Sequence, residues 1–151
     1  MALETTLILC KPDAVSRSLV GEIVSRIERR GYVITAMKLT QLPGDKAREH
    51  YAEHKDRPFF GELVEFITSG PLVAMAVEGT GVIEGMRQLI GATNPIAAAP
   101  GSIRADFGQT IGRNMVHGSD SAGSAERELN IFFNANEFVS RKHDLERWLR
   151  D

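Results

Sequence analysis

Cysteine is nearly absent: Cys10 stands alone in 151 residues. No internal disulfide can form, and a reducing compartment is favoured. Long apolar runs are missing too; none approaches the roughly 20 residues of a membrane span. Met1 to Thr6 lack the basic segment and apolar stretch of a signal peptide, so the cytoplasm is the expected location, with no membrane partner. Neither sign of charge prevails, since 18 Lys+Arg against 20 Asp+Glu leave a formal charge of −2. That balance gives no overall footprint for nucleic acid or a membrane surface. Internal repeats and low-complexity stretches are absent. Two common phosphate loops are excluded as well. No Gly-Lys pair exists, which removes a Walker A loop, and Gly79-Thr80-Gly81 has Glu84 where a dinucleotide fingerprint needs its third glycine.

What is present is ordinary for a globular chain: 42% hydrophobic and 25% charged residues, without a composition break. One domain over residues 1–151 is expected. Thr5 to Cys10 is short, apolar and rich in strand formers, and Lys11-Pro12-Asp13 reads as its stop. Val20, Ile23, Val24 and Ile27 make the stripe of an amphipathic helix ended by Gly31. Tyr32 to Leu39 reads as a second strand, and Pro43-Gly44 opens a polar helical stretch through Glu53. A helix near Phe60–Thr68, a buried strand at Leu72–Val77 and a helix at Val82–Ile90 follow. Ala92 to Met115 has weak periodicity, with Pro95, Pro100, Arg104, Asp106, Arg113 and Asn114 among small residues. Irregular stretches of that length inside a compact domain are usually functional or disordered. The Ile and Phe content favours function. A short strand at Val116–Ser119, a helix at Ala122–Phe133 and a polar tail with one more short helix close the chain. This order predicts an α+β fold: a four-stranded antiparallel sheet in the ferredoxin-like βαββαβ arrangement, with helices packed on one face.

Three groups of residues invite chemistry. Cys10 beside Lys11 has the look of a nucleophile, but free cysteine on a strand is more often a small buried hydrophobe. His50 and His54, four apart, share one face of a helix and can in principle bind zinc. Tyr51 stands where a zincin has Glu, so a solvated helix face is the expectation. The sharpest run is Arg113 to Asp120. His117 ends a short strand, Gly118 leaves room for an incoming group, and Ser119 and Asp120 can start the next helix. Taken alone, a capped helix beside an incidental histidine fits as well. Arg104 and Asp106 in the loop just before this run tip the balance, together with Arg87, the one basic residue between Pro58 and Ile103. Arg87 is suited to meet an anion, with an ion pair to Glu84 as the competing account. Glu128 on the following helix can hold one ring nitrogen of His117 and leave the other as a nucleophile. A nucleophilic imidazole, a carboxylate and several cations suit phosphoryl transfer, which needs positioning and charge neutralisation.

These residues carry a resemblance. Asn114-Met-Val-His117-Gly-Ser-Asp120 is similar to the active-site signature of the nucleoside diphosphate kinases. Thr6 to Asp13, His50-Tyr51, Asp56 to Phe60, Ser69-Gly-Pro71, Gly91 to Pro95 and Pro100 to Phe107 match that family in order and spacing. The likeness runs from Thr6 to Trp148. It implies transfer of the γ-phosphate of a nucleoside triphosphate such as ATP to His117, then to a nucleoside diphosphate: a ping-pong cycle through a phosphohistidine. It implies attack by Nδ1, with Glu128 on the other nitrogen, Ser119 supporting Glu128, and Lys11 and Tyr51 in the catalytic group. Arg87 and Thr93 would hold the β-phosphate, Arg104 and Arg113 the migrating group, Lys11 and Asn114 the sugar hydroxyls. Phe59 would stack on the base, with Leu63 and Ile111 nearby, so bases are tolerated broadly. Mg²⁺ would be held by the phosphates rather than by protein ligands. The resemblance also implies a homo-oligomer, hexamer favoured over tetramer, built partly by the Ala92–Ser119 loop and the tail after Phe133. Ser102 stands where the family usually has threonine, which touches loop packing alone. A non-catalytic nucleotide-binding module and a nucleic-acid binder are the other readings. The intact His117, Lys11, Arg104 and Glu128 speak against the first, and scattered basic residues against the second.

Overall fold

The computed structural model describes residues 2–141 and 146–151. Its sheet has four strands in the order β2-β3-β1-β4, every neighbouring pair antiparallel. Strand β1 spans Leu3–Cys10, β2 Val33–Thr40, β3 Leu72–Thr80 and β4 Val116–Gly118. This is the expected ferredoxin-like α+β arrangement. Strand β3 outruns its apolar segment because Glu78, Gly79 and Thr80 still pair with Thr5, Glu4 and Leu3. Half-exposed pairing leaves no hydrophobic signature.

Helices cover both faces of the sheet, where one covered face was expected. The reason is visible along β1, whose residues alternate between two cores in the two-residue period of a strand. Ile8 and Cys10 pack with Ile23 and Ile27 of α2 (Val20–Arg29) and with Val82, Met86 and Ile90 of α5 (Val82–Ile90). Leu7 and Leu9 pack the other way, against Ala47 of α3 (Gly44–His50), Ile67 of α4 (Phe60–Ile67) and Leu129 and Phe132 of α7 (Ala122–Phe132). Leu7–Cys10 of β1 and Leu72–Val77 of β3 are therefore apolar without a break, and such a run does not reveal how many faces are covered.

Two short helices lie where none was expected. Pro12 does not merely stop β1; it occupies the first turn of α1 (Pro12–Ser16), where its missing N–H costs nothing. Helix α6 (Ile103–Phe107) sits inside the segment read as irregular. The buried Ser102 caps it, its hydroxyl accepting from the Ala105 N–H at 3.3 Å. Arg26 of α2 anchors α6 from outside through Asp106 at 2.7 Å. Asp106 thus faces away from the residues it accompanies in sequence. The tail holds a 3₁₀ turn at Ala135–Glu137 and α8 at Glu146–Leu149. No helix among the described residues is long and apolar enough to cross a membrane.

Candidate active site

Strand β4 is only three residues long and pairs with the end of β1, placing His117 opposite Leu9 and Val116 opposite Cys10. The chain leaves β1 at Lys11, so Lys11 and His117 arrive at one end of the sheet. They open into a cleft of about 970 Å³. Side chains from α3, α4, α5, α7 and the segment after α5 complete its walls.

Just before β4 the backbone makes an unusual reversal. The buried Met115 adopts a left-handed conformation with φ +68, which for a bulky residue is a strained state costing roughly 1–2 kcal/mol. It is clamped on both sides. The Asp13 carboxylate accepts the Met115 N–H at 3.0 Å, and the Met115 carbonyl accepts the Lys11 N–H at 2.8 Å. The reversal leaves the Asn114 side-chain oxygen accepting from the Lys11 ammonium, while the Asn114 amide donates to the Thr93 carbonyl at 2.9 Å.

The His117 ring is held by one nitrogen. Nε2 meets Glu128 Oε1 at 2.7 Å, and the buried Ser119 hydroxyl donates to the same oxygen at 2.8 Å. A hydrogen bond between Nε2–H and a carboxylate fixes the tautomer and leaves Nδ1 with its lone pair. Burial opposes the charge of Glu128, but its bonds to His117 and Ser119 prevail and hold it below the ordinary carboxylate range.

Gly118 serves packing rather than access. A Cβ there would lie 2.8 Å from Ile90 Cδ1 and 3.4 Å from Ile8 Cδ1, so its bare backbone lets α5 approach the sheet. Gly118→Ala should cost about 1–3 kcal/mol, the usual range for overpacking a core, read as a lowered midpoint of urea unfolding.

Five cations line the cleft: Lys11, Arg87, Arg104, Arg113 and Arg127. Arg104 is mostly buried and donates to three backbone carbonyls: Val116 at 2.6 Å, Gly91 at 3.1 Å and Asn114 at 3.3 Å. A guanidinium has five N–H donors, so two remain for a ligand. Burial, then the charge of Arg87, lowers its pKa to about 10. Gly91 itself has φ +93, and a Cβ on it would strike Ser102 Oγ at 2.4 Å. Arg87 is exposed on α5 and makes no ion pair with Glu84. Arg113 lies over the Phe66 ring at 4.2 Å, with the Lys11 ammonium 5.9 Å from the same ring. Burial and then Arg104 lower the Lys11 pKa to about 8.

The apolar end of the cleft is lined by Phe59, Leu63 and Ile111, with Phe59 42% and Ile111 57% exposed. Thr93 and Tyr51 also reach the cleft. Burial, then Glu128, pushes the Tyr51 hydroxyl up to about 12. The site residues read from the sequence all line this one cleft except Ser119, which acts from behind Glu128. Cys10 is outside it, fully buried with its thiol pushed up to about 12 by burial and Asp13, the inert hydrophobe that was expected.

The sequence profile of the nucleoside diphosphate kinases matches residues 4–138. The chain belongs to the nucleoside diphosphate kinase family. It is 52% identical over 147 residues to the nucleoside diphosphate kinase of Oceanobacillus iheyensis, covering 97% of this chain and 99% of that one. With the Parafrankia sp. enzyme it shares 60% over 133 residues, 88% of this chain and 97% of the other. Among solved structures, the Halobacterium salinarum nucleoside diphosphate kinase in complex with CDP superposes with a TM-score of 0.96 at 45% identity, covering 99% of this chain and all of that one. A family member from Babesia bovis gives 0.94 at 41%, covering 97% and 99%. The chain is thus an enzyme, a nucleotide-handling phosphotransferase.

The kinase also holds residues that sequence reasoning missed or misplaced. Phe66, beneath two cations, and Asp13, clamping Met115, carry no motif of their own. His50 was expected on a solvated face beside His54. The helix instead ends at His50, and the 3₁₀ turn Ala52–His54 rotates His54 away to the ring of Phe59, 5.7 Å off. His50 turns inward with 4% exposure, edge-on to His117 at 4.7 Å between centroids. Burial, then the charge of His117, lowers its pKa from 6.5 to about 3. The unfolded chain therefore binds a proton that the native kinase refuses. Stability is full above pH 6.5 and falls as pH drops from 6.5 toward about 3. His50→Phe should flatten the decline of Tm across that window in a pH series of melting curves.

Proposed function

We propose that the kinase works by a ping-pong cycle through a phosphohistidine at His117. The observation that carries this is the Glu128 carboxylate held on Nε2 at 2.7 Å, which leaves Nδ1 free in a cleft with five cations. In the first half-reaction Nδ1 donates its lone pair to the γ-phosphorus of a nucleoside triphosphate such as ATP. The bond to the bridging oxygen breaks, and the nucleoside diphosphate leaves with that electron pair. Glu128 balances the positive ring that results, with Ser119 keeping the carboxylate in place. In the second half-reaction another nucleoside diphosphate attacks the phosphohistidine, and the ring returns neutral.

The roles proposed for the other lining residues are those that family membership implies. Arg87 and Thr93 hold the β-phosphate. Arg104, with its two spare N–H donors, and Arg113 meet the migrating group where charge spreads in the transition state. Lys11 and Asn114, already bonded to one another, bind the sugar hydroxyls, with Lys11 and Tyr51 close to the transferred group. The base stacks on Phe59 beside Leu63 and Ile111. Stacking reads no hydrogen-bond pattern, which supports broad base tolerance. Mg²⁺ fits as an ion carried by the nucleotide. Of the four lining carboxylates, Glu128 is committed to His117 and Ser119, Glu53 lies 3.7 Å from Arg127, and Glu62 and Asp120 remain. Magnesium is usually held by substrate phosphates with at most one or two carboxylates and its own waters, so the phosphates are its natural ligands. The active form is proposed to be a homo-oligomer, a hexamer rather than a tetramer. Met37 and Leu39, exposed on the outer strand β2, support a partner there. Light scattering of the purified kinase decides the number.

The direct test is incubation with γ-labelled ATP and Mg²⁺. Acid-labile, alkali-stable label should appear on the chain and leave on addition of unlabelled nucleoside diphosphate. Exchange without any labelled enzyme would rule the covalent cycle out. A pH dependence accompanies it. With a Lys11 pKa near 8 in the free kinase, that ammonium is charged below pH 8 and loses its proton above. KM for nucleotide should rise as pH climbs through 8 in steady-state assays. Lys11→Arg, which keeps its charge, should flatten the rise.

A further inference from the structure

We propose that His117, Glu128 and His50 form a latent chelating site for a zinc-class divalent cation. Zinc bound there silences the kinase by moving the single ring proton of His117 onto Nδ1.

The donors are already gathered. One ligand atom from each residue lies within 4.8 Å of the others. A tetrahedral centre with bonds of 2.0–2.1 Å sets its donors roughly 3.3 Å apart. The 2.7 Å gap between His117 Nε2 and Glu128 Oε1 must widen slightly, and the widest separation must close by somewhat more than an ångström. His50 can supply that movement without breaking a bond. It is 4% exposed, and neither of its ring nitrogens has a hydrogen-bond partner among the described residues. Buried imidazole nitrogens are ordinarily satisfied, so this unpartnered side chain against His117 points to a missing ligand.

The donor set selects the cation. Two imidazoles and one carboxylate with an open fourth position suit zinc, whereas magnesium prefers hard oxygen ligands and its own water. Ser119 supplies a second-sphere hydrogen bond to the carboxylate, as ligating carboxylates commonly have. Lys11 lines the same cleft, and Arg127 lies 3.8 Å from the other Glu128 oxygen. Both repel a dication, which makes the site weaker than a structural zinc centre and its occupancy reversible.

The inhibitory step follows from one proton. In the metal-free ring the proton sits on Nε2 and is donated to Glu128. Zinc takes the Nε2 lone pair, and that proton passes through solvent to Nδ1. No electrons are transferred. The ring stays neutral but has no lone pair left for phosphorus. This half of the inference rests on the phosphohistidine reading; the chelation does not.

The test uses metal-free, full-length kinase. Titration with Co²⁺ should produce the visible absorption bands of tetrahedral coordination, saturating at one ion per chain and displaced by Zn²⁺. His50→Phe keeps the ring but removes both nitrogens, and should weaken binding by roughly tenfold or more. Glu128→Gln, followed by the same titration, covers the case in which His50→Phe fails to fold. In the second arm, Zn²⁺ in the presence of excess Mg²⁺ should block labelling by γ-labelled ATP. A zinc-selective chelator should restore it, and His50→Phe should resist relative to its own zinc-free rate. Equal Zn²⁺ affinity in the wild type and both variants overturns the site. Chelation that leaves wild-type labelling untouched overturns the inhibition. Absence of label in the metal-free kinase would count against the phosphohistidine alone, since the Co²⁺ titration still decides chelation.

Discussion

His117→Ala should leave the kinase unable to take label from ATP and should lower phosphoryl exchange by roughly 10⁴-fold or more, the usual scale for losing a covalent nucleophile. Nucleotide binding should survive. Lys11, Arg87, Arg104 and Arg113 line the cleft independently of the ring, so Kd should move by no more than about threefold, well under the 1.4 kcal/mol that a tenfold change represents. The fold should survive too, because the His117 side chain is 24% exposed and most of the core lies elsewhere. The substitution does strand Glu128, a carboxylate 7% exposed whose strongest partner is that ring. A modest loss of stability near neutral pH should result, and His117→Gln, which can still donate to the carboxylate, should recover part of it without recovering label. Rapid-quench labelling and isothermal titration separate these effects. Label on the His117→Ala chain would place the nucleophile elsewhere.

The second large effect belongs to Arg104. Arg104→Ala should lower kcat by about 10²–10³, the scale seen when a preorganised donor to a transition state is removed, while KM changes far less. Tm should fall with it. The guanidinium ties Gly91, Asn114 and Val116 together, joining the end of α5 to both sides of the Met115 reversal. Losing three partly buried charge-assisted bonds should cost roughly 2–4 kcal/mol. Arg104→Lys tells the roles apart. An ammonium restores the charge but cannot span three carbonyls, so KM should return toward the wild type while Tm and most of kcat do not. A rise in KM with kcat and Tm unchanged would reduce Arg104 to uniform binding.

Most of the architecture was legible in the sequence where physical periodicity was strong. The i, i+3, i+4, i+7 stripe of Val20, Ile23, Val24 and Ile27 marks α2, and the apolar run at Leu72–Val77 marks β3. The parts that escaped have reasons. A strand buried on both faces reads as continuous hydrophobicity, so the second helical layer left no trace in β1 or β3. Helix α6 is one turn long and owes its existence to Ser102 and to Arg26 from a distant helix, neither a periodic signal. At the site, Arg87 stood out as the one basic residue of its stretch, and the family resemblance supplied most of the other residues that line the cleft. His50 was misread because a single change from i+4 to i+3 hydrogen bonding, at Tyr51, decides which way two histidines face. Asp13 and Phe66 escaped because backbone clamping and ring faces belong to no motif.

The pairing of the first strand with the last has a consequence for synthesis. Lys11 emerges among the earliest residues made, whereas Val116 to Gly118 and Glu128 come more than a hundred residues later. Chains are made from the amino end, and contacts this distant in sequence close late. A growing chain on the ribosome can therefore pair β1 with β3 and bury much of its interior while the slot for β4 stays vacant. Such a nascent kinase already carries Lys11, Phe59, Leu63 and three cleft arginines, Arg87, Arg104 and Arg113, whereas on the proposed mechanism its phosphoryl acceptor arrives only with β4.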